Sequence, residues 1–285
     1  MNDDLLIVGA RGLIGSSLAR WADAQGLRWR GTSSRAPEES GLLQLDLRRD
    51  EDIDRLAGRP RIAYLLAAET NLRRCEEQPA ATHRVNVEQT LRLARRLHAA
   101  GSTIVFVSTS LVFNGTRANM SPDDPPSPKT EYGRQKAELE GLLRAELPRT
   151  AIVRLTKVVH PAFPLFSDWL AALRRGEVIR PFSDMPFCPV DLDLVAEELG
   201  ALAVSFRPGI FQLSGDADLP YADAARLLAE TRSLPGKLVQ PRTTREAGFG
   251  GVFPRQTQLC FKGVRPDSQP PLSAETLRDI FRRIA

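Results

Sequence analysis

LLIVGARGLIGSSL, Leu5–Leu18, sets an apolar run against three glycines, Gly9, Gly12 and Gly15, and then against residues that suit a helix. A short apolar run ending at a glycine reads as a buried strand. Glycine at these places permits a tight turn, lets backbone approach a pyrophosphate and lets the helix lie close to the sheet. The helix N-terminus then offers the phosphates its free N–H groups and its positive end. Arg11, Leu13 and Ile14 fill the loop between the glycines and join them as candidate cofactor contacts. A glycine trio also fits a strand-to-helix turn in which the glycines serve only packing. Its place at the first strand of a βαβ pattern favours the phosphate loop.

Outward from this loop the chain alternates. LRWRGTSS reads as a second strand with its exit, LLQLDL as a third and IAYLLAAE as a fourth. ATHRVNVEQTLRLARRLHAAG reads as one long amphipathic helix, apolar at Val85, Leu91 and Leu97 and stopped by Gly101. TIVFVSTS is a fifth strand and TAIVRLTKVV a sixth. Between them Ser127 suits a helix cap and Pro128 a first helical position, ahead of an inward stripe at Leu139, Leu142, Leu143 and Leu147. The expectation is an α/β fold: a doubly wound parallel sheet over residues 1–153 and a smaller substrate-binding domain over 154–285, parts of which pack back on the first.

The totals exclude several classes. The chain has 285 residues, 42% of them hydrophobic, enough for a sizeable core. Cys75, Cys188 and Cys260 are odd in number and far apart, which suggests neither a disulfide framework nor a metal site. The start, MNDDLLIVGA, lacks the basic residues and long apolar stretch of a signal peptide, and no run reaches the ~18 apolar residues of a membrane span. A cytoplasmic protein is expected, with no membrane partner. The net charge is +4 without a basic stripe interleaved with aromatics, so nucleic acid is not an expected partner.

The end of the second strand bears on the cofactor. A free ribose 2′-hydroxyl usually meets an acid there. This chain offers Thr32, Ser33, Ser34 and Arg35, hydroxyls and a guanidinium suited to a 2′-phosphate. NADP(H) is therefore expected over NAD(H). Asp46, followed by Leu47 after the third strand, is a candidate adenine neighbour, and a turn aspartate is nearly as good a reading.

EYGRQKAEL puts Tyr132 and Lys136 four apart, on one face of a helix. Only five of the 39 basic residues are lysines, so a lysine here is notable. A nearby ammonium stabilises a phenolate and lowers its pKa, and lysine supplies a compact charge where arginine supplies a planar fork. Tyr-x-x-x-Lys spacing also arises on ordinary helix edges. The upstream VSTS strengthens the functional reading: Thr109 falls at the carboxyl end of the fifth strand, where ligands bind in open α/β sheets, and its hydroxyl can hold an oxygen while Tyr132 passes a proton.

GARGLIG, LDL, LLAAETN, RVNVEQT, VSTSLVFNG and YGRQK, in that order over almost the whole chain, resemble the extended short-chain dehydrogenase/reductase family, and within it the dTDP-4-dehydrorhamnose reductases. ETNLRRCEEQP and the Asp184–Pro189 pattern add to the likeness. The resemblance implies a Rossmann-type fold and a catalytic set of Thr109, Tyr132 and Lys136. It also implies that Gly9, Gly12, Gly15, Ala67, Ala68 and Asn86 surround the cofactor; the compact ammonium of Lys136 can, by its own chemistry, also hold a ribose hydroxyl. The chain departs from that pattern at Lys157, where tryptophan is common, and at Asp184, Met185, Pro186 and Phe187. Both places lie near the sugar-nucleotide pocket, which argues against dTDP-4-dehydrorhamnose itself.

The expected activity is NADP(H)-dependent reduction of a keto group on a nucleotide-activated sugar. An NAD-dependent sugar-nucleotide epimerase uses the same triad, and a catalytically silent NADP(H)-binding regulatory subunit is the alternative from another class. Arg154, Arg174, Arg175, Arg180 and Arg255 are candidates for a diphosphate clamp. Trp169 and Phe187 suit either base stacking or the core. Oligomeric state is silent in the residues; relatives of this fold often pair as homodimers through helices of the first domain.

Overall fold

Leu5–Val8 forms β1, buried on both sides, at the heart of a seven-stranded parallel sheet. The structure is a computed structural model and describes residues 4–35, 41–56, 58–248 and 253–285. The first three residues, those directly after Arg35, and the glycine-rich part of the C-terminal loop lie outside the described residues.

The other strands of the sheet are β2 (Trp29–Ser33), β3 (Leu43–Gln44), β4 (Ile62–Leu65), β5 (Thr103–Thr109), β6 (Thr150–Leu155) and β10 (Gly209–Leu213), in the order β10-β6-β5-β4-β1-β2-β3. Neighbours pair in parallel register, Leu5 beside Trp29 and Ile62, and Thr109 beside Leu155. Strands buried on both faces need continuous apolar runs, which is what LLIV, IAYL and TIVFV supply.

One face is covered by α1 (Leu13–Ala24) and α8 (Leu192–Val204), which meet Ile7, Tyr64, Val105 and Val153. The other is covered by α2 (Asp50–Arg55), α5 (Thr90–Ala99) and α6 (Glu131–Glu146), which meet Leu6, Val8, Phe106 and Ile152. Leu139 and Leu143 of α6 are fully buried there, each contributing about 1.5–3 kcal/mol. A third core lies in the second half, where α7 (Pro164–Arg174), α9 (Tyr221–Thr231) and α10 (Ser273–Arg283) enclose Phe166, Trp169, Leu228 and Phe281. The second half is thus split. Its β10 completes the sheet of the first half and its α8 covers one face of that sheet, and residues 153 and 154 both lie within β6.

Local structure departs from the sequence reading in four places. The third strand is only two residues long, because Leu45 turns away after its N–H meets the Ser33 carbonyl and Asp46 donates its N–H to the Asp52 carboxylate. The long helix is continuous but not α throughout: α4 (Pro79–His83) passes through a π-helical stretch at Arg84–Gln89 into α5, and Gln78 separates it from a short preceding helix, α3 (Leu72–Glu77). TAIVRLTKVV is two strands. Thr156 still bonds Leu213 of β10, but the Lys157 N–H turns to the Cys188 carbonyl, and β7 (Lys157–Val159) pairs with β9 (Pro189–Asp191) in a separate small sheet. Finally, Ser127 does not cap α6. Its N–H is tied to the Val112 carbonyl at 2.8 Å, which holds the segment extended, and Thr130 caps instead, its Oγ1 accepting the Gly133 N–H at 3.1 Å.

Candidate active site

The order of strands reverses between β1 and β4, and a cavity of about 880 Å³ opens at their carboxyl ends. That volume suits a small-molecule or cofactor site, and the location is where open α/β sheets bind ligands. Gly9, Arg11, Gly12, Leu13, Ile14 and Gly15 form one wall. Gly9 has φ +92°, a conformation that favours glycine, and a Cβ on Gly15 would overlap the Gly9 carbonyl. The Gly12 cap has no side-chain partner and the first turn of α1 has no acid. Its N–H groups and positive end are thus available to an anion.

Thr32, Ser33 and Ser34 line the neighbouring wall. Thr32 Oγ1 accepts the Gly9 N–H at 3.3 Å, linking the two loops. Arg35 is placed differently from expectation. It is exposed and does not line the cavity, and its carbonyl accepts from Arg11 Nη1 at 2.9 Å and from Ser33 Oγ at 3.0 Å. The arginines that line the cavity are Arg11, Arg48, Arg74 and Arg84. Asp46 and Leu47 also line it, but the Asp46 carboxylate is taken by Arg48, with Nε at 2.9 Å and Nη2 at 2.6 Å. The Arg48 hydrogen bond holds the Asp46 carboxyl below its ordinary range.

Ala67 and Ala68 form the floor, followed by Glu69 and Thr70. Asn86, expected beside the cofactor, stands behind this floor. It is 2% exposed, and its amide is spent on the N–H of Glu69 (2.8 Å), the carbonyl of Glu69 (3.0 Å) and Gln135 (2.8 Å). It shapes the wall without reaching it.

Thr109, Tyr132 and Lys136 are brought to one end of the sheet but do not line this cavity. A Cβ on Gly133 would overlap the Leu111 carbonyl, so glycine after Tyr132 lets α6 dock against the turn that follows Thr109. Thr109 Oγ1 accepts the Leu111 N–H at 3.2 Å, which leaves its own proton to give. Among the described residues no donor or acceptor meets the Tyr132 hydroxyl. Lys136 is 4% exposed; its Nζ donates to the Val107 carbonyl at 2.8 Å and sits 4.3 Å from the centre of the Phe106 ring and 5.8 Å from that of Tyr132.

The expected lowering of the phenol by lysine is not what these surroundings give. Burial pushes Tyr132 well above its ordinary value, with Cys75 adding to the effect, and burial pushes Lys136 down to about 8 against the Glu140 carboxylate. The ammonium bonds a backbone carbonyl, so desolvation outweighs its attraction for a phenolate.

The arginine clamp is not assembled. Arg154 is buried in an ion pair with Glu140, Arg175 pairs with Glu177, and Arg174 reaches the Ala285 carbonyl. Arg180 and Arg255 are exposed. Trp169 and Phe187 belong to the third core, with Phe187 stacked on Tyr221 at 4.4 Å. Lys157 lies over the Phe163 ring at 4.9 Å. Among the polar wall residues, the sequence reading missed Arg48, Glu69, Thr70, Arg74, Thr82 and Arg84. Glu69 and Arg74 stand in the quoted ETNLRRCEEQP, and Arg48 follows Asp46 by two. The segments were visible, but not which of their charged residues line the cavity. Among the described residues no helix is long and apolar enough to cross a membrane.

A model of the family described as the RmlD substrate binding domain matches residues 2–272. The chain is 26% identical over 274 residues to methionine adenosyltransferase 2 subunit beta of Rattus norvegicus, covering 90% of this chain and 80% of that protein. It is 26% identical over 248 residues to a dTDP-4-dehydrorhamnose reductase of Mycolicibacterium smegmatis, covering 85% and 73% respectively. The crystal structure of a dTDP-4-dehydrorhamnose reductase from Bacillus anthracis in complex with NADP is similar with a TM-score of 0.86, at 19% identity and 99% coverage of both chains. At that identity the likeness speaks for the fold.

Proposed function

The chain belongs to the RmlD substrate-binding family of extended short-chain dehydrogenases/reductases, and from that premise we propose that it reduces a keto group on a nucleotide-activated sugar with NADP(H). The observation that carries this reading is the shared location of two features. A glycine-walled cavity of dinucleotide size and the Thr109, Tyr132 and Lys136 set occupy the same end of one sheet.

The residues present fit a dinucleotide. The Gly9–Gly15 backbone and the start of α1 suit a pyrophosphate, and Ala67 and Ala68 give an apolar floor. Arg11 and Arg48, beside Ser33 and Ser34, suit a 2′-phosphate, so they take the part first given to the Arg35 side chain. The bound cofactor supplies a hydride. The Thr109 hydroxyl, already accepting from Leu111, donates its proton toward the substrate oxygen and orients it. A phenol held above its ordinary value keeps its proton at neutral pH, as a proton donor must, and Tyr132 passes that proton to the oxygen. Lys136 places a positive charge beside the phenolate that remains.

A second reading has one observation in its favour, the likeness to a methionine adenosyltransferase subunit. In that reading the same cavity binds the dinucleotide and no turnover follows. Calorimetric titration with NADPH and NADH, with and without Tyr132→Phe, followed by assay of 4-keto nucleotide sugars, separates the two. The proposed reaction requires NADPH binding that survives Tyr132→Phe and turnover that does not. Binding without turnover of any such sugar favours the silent subunit. Binding of neither nucleotide would sink both.

A further inference from the structure

Beneath the helix that carries Tyr132 and Lys136 lies a buried ion pair. The side chains of Arg154 and Glu140 are 1% and 3% exposed. Arg154 Nε meets both Glu140 oxygens at 3.1 Å and Nη2 meets Oε2 at 2.7 Å. Its Nη1 donates to the Gln212 side chain at 3.1 Å and to the Pro122 carbonyl at 3.4 Å. Gln212 in turn donates to the carbonyls of Met120 (2.8 Å) and Cys260 (2.9 Å). The network ties α6 and β6 to the loop that follows Thr109.

A buried ion pair of this kind is not needed to dock the helix, since apolar residues of similar volume generally stabilise as well or better, and Leu139 and Leu143 already fill that role. What it adds is a carboxylate fixed in position one turn along α6 from Lys136. Resting on the proposed reaction, we propose that Glu140, held by Arg154, is a positioning residue: its carboxylate keeps the buried Lys136 ammonium charged and in place beside Tyr132.

The surroundings of Lys136 supply no other counter-charge among the described residues. On its own helix stand Tyr132 and Glu140. β5 offers the Phe106 ring and the Val107 carbonyl, and β6 offers Arg154, the cation that holds the Glu140 carboxylate. From α3, Cys75 acts on Tyr132 and Glu76 bonds the Glu131 N–H. From α4, the π-helical stretch and α5, the charges of His83, Arg84 and Arg95 are paired with Glu138, Asp50 and Glu146. Glu140 is the group that opposes the downward push of burial on Lys136.

Lysine-selective ¹³C NMR reads this without a substrate. The chain has five lysines, and Lys136→Met identifies the resonance. Glu140→Gln, which leaves Arg154 as an uncompensated cation, is expected to lower the Lys136 midpoint by roughly one pH unit or more, tenfold in the protonation equilibrium. Glu140→Gln with Arg154→Met, which leaves neither charge, is expected to lower it by less, and it keeps the question open to measurement if the single variant fails to fold. An unchanged midpoint in the double variant overturns the inference, because a fall in the single variant alone would then come from the unpaired Arg154. With a turned-over keto substrate, the basic limb of the kcat profile is expected to move with the midpoint; a limb that stays while the midpoint moves overturns the positioning role. A wild type that turns nothing over while the NMR order holds would count against the proposed reaction and not against the charge coupling.

Discussion

Lys136→Met is expected to stabilise the protein at neutral pH and to lose that advantage in alkali. Burial lowers Lys136 from 10.5 to about 8. A difference of about 2.5 pH units at ~1.36 kcal/mol each makes the charged form cost about 3 kcal/mol in the folded state. The sign follows from proton counting. Between about pH 8 and 10.5 the unfolded chain holds a proton on this lysine that the folded chain has released, so wild-type stability gains from this group as pH rises through that window. Below the folded value the full cost is present. Methionine fills nearly the same volume without charge. It forgoes the bond to the Val107 carbonyl, worth ~1 kcal/mol once the lysine is neutral. The net expectation is a variant ~2 kcal/mol more stable than wild type at pH 7, near parity by about pH 10, and slightly weaker beyond. Urea unfolding of both proteins at pH 7, 8.5 and 10 measures the difference, and other titrating groups cancel between them. An advantage that is absent, constant or growing with pH refutes the reasoning. Loss of turnover in the same variant would make this a site where function is kept at the expense of stability.

Gly133→Ala is expected to cost about 1–3 kcal/mol by overpacking against Leu111. Gly141→Ala on the same helix, where a Cβ meets nothing within 4 Å, should gain about 0.5–1 kcal/mol; equal effects in urea unfolding would contradict the docking described for α6. Arg48→Ala should weaken NADPH binding about tenfold or more, as for loss of a charge-assisted bond, and NADH binding much less. Equal losses by calorimetry would remove Arg48 from the 2′-phosphate site. In native protein a thiol reagent should label Cys260 alone. Cys75 and Cys188 are 0% exposed, and burial pushes the Cys188 thiol up to about 11. Fast labelling that persists in Cys260→Ser would show that one of the buried thiols is open.

The order of elements and the walls built from consecutive residues were legible in the sequence. A glycine loop, its flanking apolar strand and the Tyr132–Lys136 spacing are local patterns, and β1 with the start of α1 follows from them directly. Such patterns say where backbone must bend or bury. They cannot say where a long charged side chain ends. Arg35 read as a candidate for the 2′-phosphate and Arg48 drew no reading, and only the fold put Arg48 on Asp46 at the cavity wall and left Arg35 outside it, contributing its carbonyl. Asn86 read as a cofactor contact, yet its amide was claimed by Glu69 and Gln135, both distant in sequence. Arg154 read as a phosphate ligand until packing set it against Glu140 from another element. The sequence by itself determined the alternation, the phosphate-type loop and the helix bearing Tyr132 and Lys136, because those depend on neighbours one to four residues away. Tertiary structure alone decided which charges are paired, which are buried and what each ionisable group costs, because desolvation and ion pairing depend on partners that the chain brings together only when folded.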